Sequence, residues 1–235
     1  LHGGLERGTV TLLPGPIGVG KTTVGLPFLE DAARRGERSV VYLFEESIET
    51  VVHRCESIDI PAEWMLENEH LSLVPVEPLQ LTAEEFAWRV REEVEAHQAR
   101  IVMLDSVAGY RLAVQGDGLV VHLHALTRYL RNMGVTVVLV NETDNIAGPL
   151  RATDYGFSYL ADNVLFLRYL EIRGRLHKCI GVLKKRASDF EKTLRELEIT
   201  SQGLVLGPPL EEVSGILSGS LRLGEGVVDP ADPTP

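Results

Sequence analysis

Cysteine is scarce in this chain, because Cys55 and Cys179 are the only two among 235 residues. Two distant cysteines argue against a disulfide framework or a cysteine-rich metal site, so a reducing compartment is the expected environment. Long apolar runs are also missing, since no uninterrupted stretch approaches the ~20 residues that a membrane span requires. The start of the chain does not read as a signal peptide either. We therefore expect a cytoplasmic protein with no membrane partner.

Basic residues are outnumbered: 23 Lys and Arg stand against 34 Asp and Glu, with a formal net charge of -11 and a pI of about 5.1. Sequence-independent binding to nucleic acid depends on an excess of Lys and Arg, so this balance disfavours DNA as a partner. The chain is nevertheless long enough to bury one sizeable α/β core, and a single domain is the expectation.

What the sequence does contain is a phosphate-binding motif, because residues 15–22 read GPIGVGKT and match GxxxxGK[ST]. The three glycines permit backbone angles that turn successive N–H groups toward a phosphate at a helix N-terminus. Lys21 would reach the β- and γ-phosphates of a nucleotide, and the Thr22 hydroxyl would ligate Mg²⁺. A strand pattern at 9–13 precedes the loop and a helical pattern at 22–35 follows it. The predicted nucleotide-binding residues of this segment are Gly15, Pro16, Ile17, Gly18, Val19, Gly20, Lys21, Thr22 and Thr23.

The remaining pattern predicts an α/β fold. Predicted strands alternate with helical patterns as far as residue 141, which indicates a parallel sheet flanked by helices. The strands are predicted at 39–44, 71–75, 100–105 and 135–141, and the helices at 48–57, 82–98 and 119–133. Beyond residue 160, strand runs at 163–170, 176–185 and 193–200 predict antiparallel hairpins that extend the sheet. Pro, Gly and Ser then become frequent, so we predict one domain over residues 1–207 and a linker or flexible tail over 208–235.

Acidic residues follow two of the predicted strands. Glu45 and Glu46 come directly after strand 39–44, and Asp105 ends the apolar run IVMLD. In a parallel sheet the ligand crevice lies outside the carboxyl ends of the strands, so these acids would face the phosphate loop. Glu45 and Glu46 are the predicted catalytic residues, since a carboxylate there could orient or deprotonate an attacking water or hydroxyl. The alternative is that the two glutamates only cap the helix that begins near Ser47.

Asp105 has the form of a Walker B acid, which holds Mg²⁺ directly or through water. With the hydroxyl of the phosphate loop and the first glutamate it completes the predicted metal sphere of Thr22, Glu45 and Asp105. Many buried strands end at an Asp that caps a neighbouring element, so the pattern depends on its position after the phosphate loop.

Four segments, in chain order, resemble the KaiC-like family of RecA-superfamily ATPases: GGLERGTVTLLPGPIGVGKTT, YLFEES, IVMLDS and LRYLEIRGRLHKCIGVLKKRASDFEKTLRELEIT. Many ATPases share the phosphate loop, whereas the paired Glu45-Glu46 and the KKRAS stretch at 184–188 are more selective for this family. A further resemblance, to the second ATPase domain of the cyanobacterial clock protein of this family, rests on EIRG at 171–174 and ILSGS at 216–220.

The resemblance implies a RecA-like P-loop NTPase fold, ATP and Mg²⁺ as cofactors, and a ring, typically a hexamer, with ATP between neighbouring subunits. In the family a basic segment projects toward the γ-phosphate held by the next subunit, where positive groups offset charge developing during phosphoryl transfer. The resemblance therefore implies nucleotide contacts for Lys184, Lys185, Arg186 and Ser188. Taken alone, the basic stretch is also typical of a solvated strand face. The family motif continues with Gly and ends in His, whereas this chain has Ala187 and Phe190.

The resemblance also implies a candidate phosphosite at Ser158. In the second domain of the clock protein a neighbouring Ser and Thr are autophosphorylated just before the strand equivalent to 163–170, and the matching pair here is Ser158 and Tyr159. A hydroxyl at a subunit boundary could attack the neighbour's γ-phosphate if Glu45 accepts its proton, which makes autokinase activity a candidate. An ordinary loop serine is the alternative.

Three functions remain open. The first is a Mg²⁺-dependent ATPase of KaiC type that signals through an unknown regulatory protein partner. The second is a recombinase-like or helicase-loading DNA-dependent ATPase, against which the acidic composition counts. The third is a structural ring in which ATP only stabilises the interface between subunits. Glu45, Glu46 and Asp105 count against it, because a structural site needs no such acids. We expect the first.

Overall fold

The computed structural model describes residues 1, 3–77, 80–113, 118–143, 159–172, 174–211, 213–217 and 222–223. Eleven strands lie in this part of the chain: β1 Val10–Gly15, β2 Ser39–Leu43, β3 Leu71–Pro75, β4 Ile101–Asp105, β5 Thr136–Glu142, β6 Asn163–Ile172, β7 Arg175–Lys185, β8 Arg195–Thr200, β9 Gly203–Pro209, β10 Val213–Ser214 and β11 Arg222–Leu223. The helices among the same residues are α1 Lys21–Arg34, α2 Ile48–Glu56, α3 Ala62–Glu67, α4 Ala83–His97, α5 Val107–Ala113 and α6 Leu119–Asn132. None of these helices is long and apolar enough to cross a bilayer.

Nine strands form one sheet in the order β3-β2-β4-β5-β1-β6-β7-β8-β9. The pairs from β3 to β6 are parallel, and β7, β8 and β9 continue the sheet in antiparallel pairs. The central strands read as nearly continuous apolar runs because helices cover both faces of the parallel part. The predicted α/β fold, with a mainly parallel sheet and C-terminal antiparallel strands, is confirmed.

Side chains of the parallel strands alternate between two apolar layers. Leu12 and Tyr42 belong to the layer that contains buried residues of α4 and α6. Leu13 and Leu43 belong to the opposite layer, which contains buried residues of α1, α2 and α3. This period of two follows from the pleat of a strand and fixes the register, since a shift by one residue would exchange the two layers. The sheet is therefore a rigid support for the loops at the carboxyl ends of its strands.

Local signals set several helix starts. Thr82 and Glu85 form a capping box at the start of α4, in which each side chain accepts a hydrogen bond from the other residue's backbone N–H. Ser47 caps α2 by accepting a hydrogen bond from the Thr50 N–H. These caps explain why the helix boundaries agree with the sequence pattern to within one or two residues.

The chain beyond residue 207 contains packed structure. β9 continues to Pro209, and Ile216 is buried against Leu170 and Cys179. The Arg168 guanidinium donates a hydrogen bond to the Ile216 carbonyl at 2.6 Å. The composition predicted a linker or flexible tail from residue 208, but Pro and Gly are also tolerated in an edge strand and in the turns beside it. We propose that the domain boundary lies beyond residue 217.

Candidate nucleotide-binding site

The phosphate loop joins the end of β1 to the start of α1 and lies under a cavity of about 490 Å³. Gly18 and Gly20 have φ values of 72° and 106°, which favour glycine because it lacks a Cβ. A Cβ added at Gly20 would also lie 2.6 Å from Cδ1 of Ile199. The glycine at this position is therefore required by backbone angle and by close packing together.

Lys21 is buried in this cavity, with 8% of its surface exposed. Its Nζ donates a hydrogen bond to the Pro16 carbonyl at 2.8 Å and lies 3.9 Å from Oε1 of Glu142. Burial lowers the pKa of Lys21, and the negative charges of Glu142, Asp105 and Glu45 oppose that shift. The ammonium group is thus surrounded by acids that an anionic ligand could replace as its counter-charge.

Asp105 lies at the carboxyl end of β4, in register with Leu43 of β2. Its Oδ2 is buried and has no hydrogen-bond partner among the described residues. Burial raises the pKa of Asp105 to about 6, and the charge of Glu46 acts in the same direction, whereas a hydrogen bond with the Thr22 side chain opposes the shift. An unpartnered carboxylate oxygen beside a hydroxyl is a donor set that suits Mg²⁺.

No cluster of three or more His, Cys, Asp or Glu side chains with metal-binding geometry occurs in the described ranges. A magnesium site of nucleotide enzymes does not need one, because the ion uses one or two carboxylates, water and the phosphates. The residues present therefore fit Mg²⁺ bound together with a nucleotide.

The two glutamates predicted as catalytic have different surroundings. Glu45 faces the cavity, where the Ser106 hydroxyl donates a long hydrogen bond of 3.5 Å to its Oε2. Desolvation of the carboxyl and the charge of Glu142 raise the pKa of Glu45, and the Ser106 contact opposes the shift. Glu46 lines the same cavity, but Nη1 and Nη2 of Arg54 each donate a hydrogen bond of 2.6 Å to its carboxylate. Among the described residues Glu45 accepts fewer hydrogen bonds than Glu46, and the catalytic roles of both glutamates stay predictions.

Several residues of the cavity were not found from the sequence. Lys178 donates from Nζ to the Gly18 carbonyl at 3.4 Å, and Ile199 covers the loop from β8. Both come from the antiparallel strands more than 150 residues further along the chain, and no local motif marks them. Glu142 could have been found, because it ends a parallel strand and the ligand crevice lies at such ends.

The basic segment, residues 184–188, lies at the amino ends of the parallel strands, at the other end of the sheet from the phosphate loop. Because β7 runs antiparallel to β6, its end returns to the amino ends of the parallel strands, where Lys185 pairs with Asn163 and Asn163 pairs with Thr11. The four-residue step along β1 from Thr11 to Gly15, at about 3.3 Å per residue, corresponds to about 13 Å. The side chains of the basic segment are therefore remote from the phosphate loop of their own chain.

Within this segment the polar side chains have different partners. Lys184 donates to the Ala161 carbonyl at 2.5 Å, and burial together with the charge of Arg186 lowers the pKa of Lys184. The Lys185 side chain is only 1% exposed, and its Nζ contacts the Leu1 carbonyl at 2.6 Å and Glu6 at 3.0 Å.

Ser188 also donates to Glu6, at 2.7 Å. Lys185 and Ser188 are thus bound to the start of their own chain, and their predicted nucleotide contacts gain no support from this placement. Ser158 lies outside the described residues, whereas the neighbouring Tyr159 is exposed.

Three features lie together at the carboxyl ends of the parallel strands: a phosphate loop after the first strand, a buried acid at the end of β4 and a glutamate after β2. Together they define a P-loop ATPase domain of the RecA-like class. A family model described as "ATPase: KaiC" matches residues 1–211, and the chain belongs to this family. Membership of this family supports ATP binding by the domain.

Curated relatives agree with the family. The circadian clock oscillator protein KaiC of Picosynechococcus sp. is 28% identical over 218 residues, which are 93% of this chain and 42% of the relative. The circadian clock protein KaiC3 of Synechocystis sp. is 27% identical over 217 residues, 92% of this chain and 43% of the relative. KaiC of Acaryochloris marina is 27% identical over 218 residues, 93% of this chain and 42% of the relative. The chain thus spans less than half the length of these relatives.

Proposed function

We propose that this domain is a Mg²⁺-dependent ATPase that works in the cytoplasm as a ring, typically a hexamer of KaiC type with ATP between neighbouring copies, and acts in signalling or regulation through a protein partner. The observation that carries the proposal is the convergence of Lys21, Thr22, Glu45 and Asp105 on one cavity. A site in which the nucleotide only stabilised the subunit interface would not need a proton acceptor beside the metal-binding acid.

Each of these side chains has a proposed task. Lys21 would contact the phosphates, and Thr22, Glu45 and Asp105 would hold Mg²⁺. The ion, when bound, would offset the negative charge of the phosphates. Glu45 accepts the proton of the attacking water or hydroxyl, and its raised pKa favours that role because a base works best when its pKa approaches the working pH.

The ring is supported by the distance between the amino and carboxyl ends of the parallel strands. Lys184 and Arg186 lie too far from the loop of their own chain to contact its nucleotide. In a ring the amino ends of the parallel strands of one copy would face the carboxyl ends of those strands in the next copy. These cations would then reach the neighbour's γ-phosphate. Supplying them from the neighbour would couple hydrolysis to assembly. Ser158 is proposed as an acceptor of that phosphate.

The first test is incubation with Mg²⁺ and γ-labelled ATP, with and without single-stranded DNA, following both released phosphate and label retained on the protein. We expect slow release that is indifferent to DNA, and retained label that is lost in Ser158→Ala. Strong stimulation by DNA with no retained label would favour the recombinase-like alternative, and label retained in Ser158→Ala would exclude Ser158 as the acceptor.

Variants of the loop and the base test the assigned roles. Lys21→Ala should abolish ATP binding, whereas Glu45→Gln should bind ATP and lose turnover by about 10²–10⁴-fold. Glu49→Gln is the matched control, because Glu49 is an exposed acid on the first turn of α2. Normal hydrolysis by Glu45→Gln would show that Glu45 is not the base.

A further inference from the structure

A second polar cavity, of about 430 Å³, lies at the amino ends of the parallel strands, remote from the phosphate loop. Three arginines line it: Arg128 and Arg131 on α6, and Arg186 just after β7. No acidic side chain is among its lining residues in the described part of the chain. In a chain with a net charge of -11, three guanidinium groups around one concavity concentrate positive potential there. The cavity is suited to an anion.

A buried carboxylate organises two of these arginines. Asp162 contacts two of the lining arginines and its side chain is 4% exposed. Its Oδ1 is 3.3 Å from Nη1 of Arg186, and its Oδ2 is 3.5 Å from Nε of Arg131. The same Oδ2 accepts a hydrogen bond of 3.0 Å from the Val10 N–H, at the start of β1. Asp162 is therefore fixed to the central strand, and it holds side chains from two different elements in one arrangement.

The two guanidinium groups keep access to the cavity. Arg131 is 41% exposed and Arg186 is 57% exposed, so only part of each group is used by Asp162. Arg128 forms no ion pair with another residue in the described ranges and adds a further positive charge. One buried carboxylate against three guanidinium groups leaves an excess of positive charge, which a phosphate group would balance through paired N–H donors.

We propose that Arg131 acts with Arg186 on the γ-phosphate of ATP held by a neighbouring copy of this chain, and that Asp162 is the positioning residue that sets both guanidinium groups. This inference rests on the proposed function, because it needs ATP at a subunit boundary. The ATP on the phosphate loop of the same chain is too far away to be this ligand, because the length of the parallel strands separates it from the two arginines. The phosphate must therefore come from another molecule. A compact cavity in an acidic chain suits a terminal phosphate better than the extended backbone of a nucleic acid.

The first experiment measures ATP turnover of Arg131→Ala and Asp162→Asn beside the wild type. We expect turnover to fall at least tenfold in both variants, since arginines supplied in trans contribute about 10³–10⁵-fold in other phosphoryl-transfer enzymes. Arg131→Lys should recover only part of the loss, because it restores the charge without the planar pair of donors. Arg89→Ala, which removes an exposed arginine of α4 outside this cavity, should hydrolyse ATP like the wild type.

The second experiment tests whether Arg131 acts on the neighbour. Arg131→Ala and Lys21→Ala chains carrying different tags are co-expressed, and mixed assemblies are isolated through both tags. In a mixed ring the intact Arg131 of a Lys21→Ala copy faces the intact phosphate loop of an Arg131→Ala copy, so hydrolysis should rise well above the hydrolysis by either variant alone.

The outcomes separate this inference from the proposed function. Failure of the wild type to hydrolyse ATP would overturn the proposed function itself. Wild-type hydrolysis together with normal turnover by Arg131→Ala, or with mixed assemblies no more active than Arg131→Ala alone, would overturn the role of Arg131 alone. Thermal melting shows whether Asp162→Asn has lost the fold through its contact with Val10; in that case Arg131→Ala and the mixed assemblies decide the matter.

Discussion

Asp105 should lower the stability of the nucleotide-free domain at neutral pH. Its pKa is about 6 in the folded chain and 3.8 in the reference state. The difference of about 2 units, at 1.36 kcal/mol per unit, corresponds to about 3 kcal/mol. Because the folded state binds this proton more tightly, stability falls as pH rises from about 4 to about 6 and is level above that range. Asp105→Asn should therefore be more stable than the wild type at pH 7.5 and equally stable near pH 4.

The assay is thermal melting of both proteins between pH 4 and pH 7.5, in a chelator and without nucleotide. For a chain of this length about 1 kcal/mol moves Tm by about 2–4 °C, so we expect a difference of up to about 6–12 °C at pH 7.5. Mg²⁺ with ATP should then stabilise the wild type more than Asp105→Asn, because the variant lacks the anionic ligand.

The matched control is Asp31→Asn, which changes an exposed acid of α1 that pairs with Arg35. We expect its Tm to follow the wild type across the pH range, since exposed pairs contribute little. The reasoning about burial would be refuted if Asp105→Asn melted at or below the wild-type temperature at pH 7.5.

Three further predictions concern the loop, a helix cap and the thiols. Gly20→Ala should weaken ATP binding at least tenfold, as measured by calorimetry, because the residue has a φ of 106° and its new Cβ would meet Ile199 at 2.6 Å; wild-type affinity would contradict the packing. Thr82→Ala should cost about 1 kcal/mol in urea unfolding and leave ATP turnover unchanged, since only the capping box of α4 is lost. Cys55 and Cys179 should react with a thiol reagent at pH 8 only on unfolding, because burial raises the pKa of both thiols to about 11; fast native labelling would contradict this burial.

Two elements, α3 and β9, were not predicted from the sequence, for local physical reasons. The six-residue helix α3 has no side-chain cap at its start and is too short to display a clear period. β9 reads as a loop because it contains Gly203, Gly207 and Pro209, yet it pairs with β8 at the edge of the sheet, where such residues are tolerated. In both cases packing against the rest of the chain outweighs weak local preference.

The sequence by itself determined the phosphate loop, the alternation of strands and helices, and the acids at the strand ends, because each of these depends on neighbours within a few residues. Only the tertiary structure decided that β5 and β4 lie between β1 and β2, that Glu46 is held by Arg54, and that Lys178 reaches the loop. It also decided that Arg186 shares Asp162 with Arg131 at the far edge of the sheet. These contacts join residues distant in sequence, and they exist only because burying both faces of the sheet fixes the strand order and thereby which side chains meet.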